Sequence, residues 1–227
     1  MKTKNILLVC LVFICQINLQ AQKYYRITVE FSTKTISYDG KAQLSRGTFF
    51  YDRNFKKLVY LNTFPTKDMW LSFDTVIYNI INERIAKKFQ SPPLAQFSIF
   101  HLALTSQINN YGLKNSGFTI KKVEKTKDMV ITTWIPPNYL NKMFGKVLIS
   151  ICSNKLNGIV FIDAKGNTLR KQFFNKFENF NGVEFPLEVI DITYTNGKEN
   201  YQVTTYKTIK IDEVSSNYYY NYPIPLY

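Results

Sequence analysis

Histidine is nearly missing from this chain: 227 residues carry one, His101. A single imidazole disfavours multi-histidine metal sites and most histidine-dependent catalysis. Cysteine is scarce as well. Cys10 and Cys15 fall in the N-terminal apolar stretch, so Cys152 stands alone in the remainder and no internal disulfide can form there. Cys152 lies in the apolar run 147–152 and reads as a structural thiol. Nucleotide loops of the GxGxxG or Walker type are absent, and so is a Gly-x-Ser-x-Gly elbow. Asp163 and Gly166 sit in a turn, and turn chemistry accounts for both. Nothing points to a catalytic pair, so no enzyme activity is expected and no metal or other cofactor is implied. Only one long apolar run occurs, at the N-terminus, which excludes a multi-span helical membrane protein. There is no zinc finger, RNP-like motif or compact basic block, so nucleic acid is not an expected partner.

What the chain does have is aromatic surface. It holds 18 Phe and 16 Tyr in a composition that is 45% hydrophobic and 20% charged, which is globular and ample for a core. The formal charge is +13, with basic residues scattered along the chain. The densest group, Lys121, Lys122, Lys125 and Lys127, is broken by Glu124 and Asp128 and reads as a solvated strand face. Residues 1–21 read as a removable secretory signal. Lys2 and Lys4 form its basic start, residues 6–14 its apolar centre, and Leu19-Gln20-Ala21 its cleavage site. Residues 22–227 are then expected to form a single exported domain, periplasmic or otherwise, and soluble after cleavage.

Strand signals dominate that domain. Residues 23–34 alternate, and Tyr38-Asp39-Gly40-Lys41 is a turn. Strands follow over 43–51, 57–62, 68–73 and 76–81, giving a meander. Residues 82–93 are charged and read as a loop with one helical turn at 83–88. Residues 94–111 predict one long helix, started by Pro93 and stopped by Gly112. Its stripe of Phe97, Phe100, Leu104, Ile108 and Tyr111, widened by Leu94, Ile99, Leu102 and Ala103, predicts burial against a sheet. His101 within it reads as a satisfied, partly buried side chain, with a pH switch or a ligand contact as the alternative. Strands resume over 118–124 and 129–135. Residues 138–144 are a short helix or loop, and 147–152 and 159–162 are strands around Asn157-Gly158. Long strands over 168–180, 183–194 and 199–211 are joined at Asn181-Gly182 and Asn196-Gly197. Pro186 marks an edge or a bulge. The tail 218–227 is aromatic. The sum is a large curved antiparallel sheet, filled on its concave side by one helix and aromatic side chains.

Two stretches carry a resemblance. The first runs through Arg46-Gly47-Thr48-Phe49-Phe50-Tyr51, Lys56-Lys57-Leu58-Val59-Tyr60 and Phe64-Pro65, then 68–78 with Trp70 and Asp74. The second is Gly158-Ile159-Val160-Phe161-Ile162-Asp163-Ala164-Lys165-Gly166, then 177–180, Asn181-Gly182-Val183, Phe185-Pro186 and Glu188. In order and spacing the chain resembles the outer-membrane lipoprotein carrier, or LolA-like, superfamily. The resemblance implies an α+β, mainly antiparallel β fold: a curved half-barrel sheet with one main helix packed in or over the concave face. Carriers of that family shield the acyl chains of a lipoprotein in an apolar cavity while crossing the periplasm, which needs no catalytic group. Three positions depart from the pattern. The family opens with a helix where 23–34 reads as a strand. It places a lid-latching Arg where this chain has Val59. Residues 138–144 stand in place of a further lid helix.

The expected cavity wall is Phe49, Tyr51, Tyr60, Trp70, Phe97, Phe100, Leu104 and Trp134; for the two Trp core packing is the default reading and the wall the functional one, and the apolar helix can likewise be simple core. Alternation by itself does not assign faces. The expected function is an exported lipid- or lipoprotein-binding carrier or chaperone, with acyl chains as ligand and peripheral membrane contact. The alternative is a non-enzymatic envelope module that binds a protein partner through a sheet edge or the aromatic tail.

Overall fold

A computed structural model describes residues 24–91 and 94–224. The signal expected at 1–21, the helix start at Pro93 and residues 225–227 lie outside the described residues. Strands β1 (Arg26–Ile36), β2 (Ala42–Asp52), β3 (Lys57–Phe64), β4 (Asp68–Phe73), β5 (Val76–Ile81) and β6 (Arg84–Gln90) form a first meander. A second comprises β7 (Thr119–Lys125), β8 (Met129–Ile135), β9 (Lys146–Cys152), β10 (Lys155–Ile162), β11 (Thr168–Phe180), β12 (Val183–Thr195) and β13 (Lys198–Ile211). Among the described residues these make one antiparallel sheet, ordered β6-β5-β4-β3-β2-β1-β13-β12-β11-β10-β9-β8-β7. Hairpins supply every neighbour pair but one. The exception, β1 against β13, joins the two meanders through pairs such as Phe31 with Tyr206 and Thr33 with Thr204. The twist of so many strands accumulates into an unclosed, curved sheet.

Turn chemistry explains the hairpins. Asn181-Gly182 and Asn196-Gly197 have positive φ at both residues, as tight two-residue hairpin turns require. Two other turns use the same conformation without glycine: Asn82-Glu83 and Ser153-Asn154. They correct two expectations. The 82–93 segment is mostly a strand, β6, because Asn82-Glu83 folds the chain straight back onto β5. The turn between β9 and β10 is Ser153-Asn154, and Gly158 lies inside β10 beside a bulge. There its missing side chain leaves room for the Phe173 ring, which a Cβ would meet at 3.1 Å. Pro186 sits where β12 has passed its ladder with β13, whose pairing starts at Glu188 with Thr205, so its lack of an N–H costs no bond on that side.

The long helix expected over 94–111 is instead a broken plug. It consists of a single-turn 3-10 helix (Leu94–Phe97), the short helix α1 (Ile99–Leu104), and 3-10 turns Ile108–Asn110 and Leu113–Ser116. Ser98 caps α1 by accepting from the His101 N–H at 3.3 Å. At its other end Thr105 Oγ1 donates to the His101 carbonyl at 2.7 Å, and Ser106 and Tyr111 adopt positive φ. Small polar side chains bonding to nearby backbone compete with helix propagation. Much of the apolar stripe is buried by packing into the trough rather than by helical repeat: Phe100, Leu102, Ala103, Leu104 and Ile108 are buried, while Phe97 is not.

Alternation now acquires a direction. On β2, Phe49 and Tyr51 point to the concave side, where the main core of Ile27, Val29, Phe31, Phe174, Phe185 and the plug residues lies. Phe50 points to the convex side, into a second core with Val59, Met69, Leu71, Tyr78 and Ile80. The C-terminal segment covers that second core. Its short helix α2 (Asn217–Tyr220) buries Tyr220, and Tyr222 follows. The described part of the aromatic tail, 218–224, is thus engaged by its own sheet, with Tyr218 left exposed.

Candidate functional site, the plugged concave face

Cross-strand register builds an aromatic layer under the plug. Phe31 on β1, Phe49 on β2 and Tyr60 on β3 meet with ring centroids 4.6–5.0 Å apart. Phe100 of α1 descends onto this layer, 4.8 Å from Phe49, 5.9 Å from Phe185 and 6.0 Å from Tyr206. Phe185 and Tyr206 close the group at 5.3 Å. Such ring pairs add about 0.5–1.5 kcal/mol each beyond area burial.

The expected wall residues divide among three surroundings. Phe49, Tyr51, Tyr60, Phe100 and Leu104 meet in or beside the layer. Trp134 is buried in the same core further along, with its Nε1 donating to Thr132 Oγ1 at 2.9 Å. Trp70 lies opposite Tyr60 on the same face, one strand further out on β4, where it stacks on Phe89 of β6 at 6.1 Å and donates to Asp68 at 2.9 Å. Phe97, at the end of the first 3-10 turn, is half exposed. Sequence reasoning passed over Phe31, Phe185 and Tyr206 as wall residues. Their signal was their alternation on strands, which carries no face label until β1 pairs with β13.

Few polar bonds hold the plug. Arg53, in the β2–β3 turn, donates through Nη1 to the Leu104 carbonyl at 3.0 Å and to the Tyr24 carbonyl at 3.1 Å. It grips the C-terminal end of α1, while Val59, where the family pattern places an Arg, is buried on the convex side. Asn109 joins the β9–β10 hairpin through the Asn154 carbonyl at 3.0 Å and the Leu156 N–H at 3.1 Å. Tyr111 Oη donates to Gln172 Oε1 at 2.5 Å; burial pushes that phenol up to about 12, so it stays a donor.

The fourth link joins Tyr51 Oη and His101 Nδ1 at 2.6 Å. Burial raises the Tyr51 phenol, with Asp52 adding to the effect. Burial lowers the His101 pKa, and Arg53 and Lys56 lower it further. The folded protein therefore prefers the neutral imidazole, and the unfolded chain binds the extra proton first. Stability from this group is present above its ordinary pKa of 6.5 and is lost as pH falls through the lowered folded value. The expected result is a melting temperature that drops on acidification below that point. His101→Gln should flatten this component, and the imidazole resonances of the sole His should titrate low. A His101 resonance titrating at or above its ordinary value would contradict the account.

The arrangement presents an aromatic layer under the plug, and among the described residues no acid, base and nucleophile converge on it. No group of three or more His, Cys, Asp or Glu able to hold a metal occurs among the described residues. No helix among them is long and apolar enough to cross a membrane.

The geometry defines an open antiparallel half-barrel whose concave side is stopped by a helical plug. No family model matches the chain, and no curated protein matches it by sequence. Solved structures do. A LolA superfamily protein from Nitrosomonas europaea aligns at TM-score 0.59 and 14% identity, covering 87% of this chain and 90% of that one. A DUF1329 family protein from Desulfovibrio piger aligns at 0.60 and 12%, covering 92% and 93%. A domain from Vibrio parahaemolyticus, named for outer membrane lipoprotein sorting, aligns at 0.60 and 10%, covering 85% and 88%. The chain has the LolA-like fold, in a sequence-divergent form.

Proposed function

We propose that the protein is an exported, non-enzymatic carrier that holds the acyl chains of a lipid or lipoprotein between the concave face of its sheet and the 94–116 plug. The observation that carries this reading is the plug over the aromatic layer. A helix of six residues is marginal on its own, so α1 persists through the side chains it buries. Lifting it would bare Phe31, Phe49, Phe185 and Tyr206 together, a surface suited to alkyl chains at about 0.8 kcal/mol per buried CH2. The names of the superfamily and lipoprotein-sorting neighbours support the same reading. Export after removal of residues 1–21, and a single domain over 22–227, complete it.

Native mass spectrometry with lipid extraction, on mature protein from its own envelope fraction, tests the proposal. An acyl species is expected in the wild type and absent from Phe100→Asp or Leu104→Asp. A clean apo mass with no uptake of added lipid or apolar dye would sink it.

A further inference from the structure

The concave face changes chemistry along the strands. Toward the β2–β3 turn it is the apolar layer under the plug. In the opposite direction, on β2, β1 and β13, the register places polar residues at the same face positions, while the first of these rows continues on β12 and β11 as the apolar Val189 and Phe174. Ser45, Thr33 and Thr204 are successive partners on β2, β1 and β13, one row beyond Gly47, Phe31 and Tyr206. In the next row stand Thr35, Gln202, Asp191 and Gln172, on β1, β13, β12 and β11. Tyr111 of the plug reaches this second row through its bond to Gln172.

We infer that this polar half is a shelf for the head of the molecule whose chains lie under the plug, and that the head is uncharged and rich in hydroxyl or amide groups. The inference rests on the carrier reading above. Three observations support it. The two halves share one continuous face, so an amphiphile with its chains on the aromatic layer has its head on these rows. The shelf is built rather than loose: Gln172 is 6% exposed, accepts from Tyr111, and donates to Asp191 at 3.4 Å. Thr33 and Thr204, both buried, bond hydroxyl to hydroxyl at 3.0 Å. Finally, the ionised side chains there cancel. Arg170, which faces Thr193 in the following row, makes a forked pair with the Asp191 carboxylate. What remains for a ligand is Thr35 and exposed Gln202, both neutral donors and acceptors, while half-buried Ser45 already bonds the Tyr60 hydroxyl. An anionic head would meet no unpaired cation in these rows.

Calorimetric titration of the mature protein with dodecyl maltoside and dodecyl phosphate, each below its micelle concentration, tests this. Both share one chain and differ in head. Wild type should bind the maltoside about tenfold more tightly. The double variant Thr35→Val with Gln202→Leu should lose most of that preference while still taking up the neutral dye N-phenyl-1-naphthylamine. Both positions are outside the plug contacts, and a far-ultraviolet circular dichroism melt confirms that the variant folds. Equal affinity for the two heads with normal dye uptake, or a preference the variant keeps, overturns the shelf and leaves the carrier standing. Absence of dye and amphiphile uptake in wild type overturns the carrier reading itself.

Discussion

Gly47→Ala is expected to destabilise the protein by about 3 kcal/mol or more, at the upper end for overpacking. A Cβ at this position would lie 2.0 Å from the Leu61 carbonyl oxygen and 2.9 Å from Phe31 Cε1. The ring could shift; the carbonyl belongs to the β3 backbone and cannot move without opening the β2–β3 ladder. That ladder already carries an irregularity between Arg46 and Gly47. The close approach is what lets Phe31 lie across from Gly47 and reach Phe49 and Tyr60. The melting temperature should fall by about 6–12 °C, since each kcal/mol shifts a domain of this size by about 2–4 °C. Gln43→Ala, four residues earlier on the same face and exposed, is the control and should move it little. A Gly47→Ala protein melting with the wild type would show that β2 and β3 are not paired as described.

Asp52→Ala should cost about as much, roughly 3–5 kcal/mol, because it breaks a buried pair from one side. Asp52 is 1% exposed. Its Oδ2 accepts from Arg26 Nε at 2.7 Å, and its Oδ1 accepts from the backbone N–H groups of Asn54 at 2.9 Å and Phe55 at 3.2 Å. Removal strands a partly buried guanidinium and unties the turn that carries Arg53. Arg26 also donates to Asn217 Oδ1 at 2.7 Å and lies over the Tyr220 ring at 4.9 Å, so the C-terminal segment should loosen with it. Thermal denaturation gives the stability loss, and hydrogen exchange at 217–222 should rise before the rest of the sheet. Replacing both partners with apolar residues, Arg26→Met with Asp52→Leu, should recover a good part of the loss. If the double variant were as unstable as the single one, the unpaired charge would not be the cause.

Much of this fold could be read in the chain, and the exceptions share causes. The hairpin at Asp74-Thr75 and those at Asn181-Gly182 and Asn196-Gly197 announce themselves through residues that tolerate positive φ. Asn82-Glu83 and Ser153-Asn154 adopt the same geometry without a glycine, so β6 and the start of β10 were misread. The plug was misread because its apolar spacing fits a helix, whereas the trough buries those side chains in a broken path. Of the expected wall, Phe49, Tyr51, Tyr60, Phe100 and Leu104 converge, Trp134 shares their core further along, Trp70 lies beyond Tyr60 on the same face against Phe89, and Phe97 is half exposed.

By itself the sequence determined the strand-and-turn grammar, a mainly antiparallel sheet, an apolar segment to cover it and the absence of familiar catalytic motifs. Those follow from local physics: period-two alternation, turn residues, and which side chains are present at all. Only the tertiary structure decided which face each alternating residue takes, because alternation has a period but no sign. The long-range pairing of β1 with β13 supplies that sign, sending Phe49 to the plug and Phe50 to the C-terminal tail. It also brings Arg53 to α1 and sets Thr35, Gln202 and Asp191 side by side. Neighbours contributed by strands far apart in the chain leave no local pattern, and the candidate site is made of such neighbours.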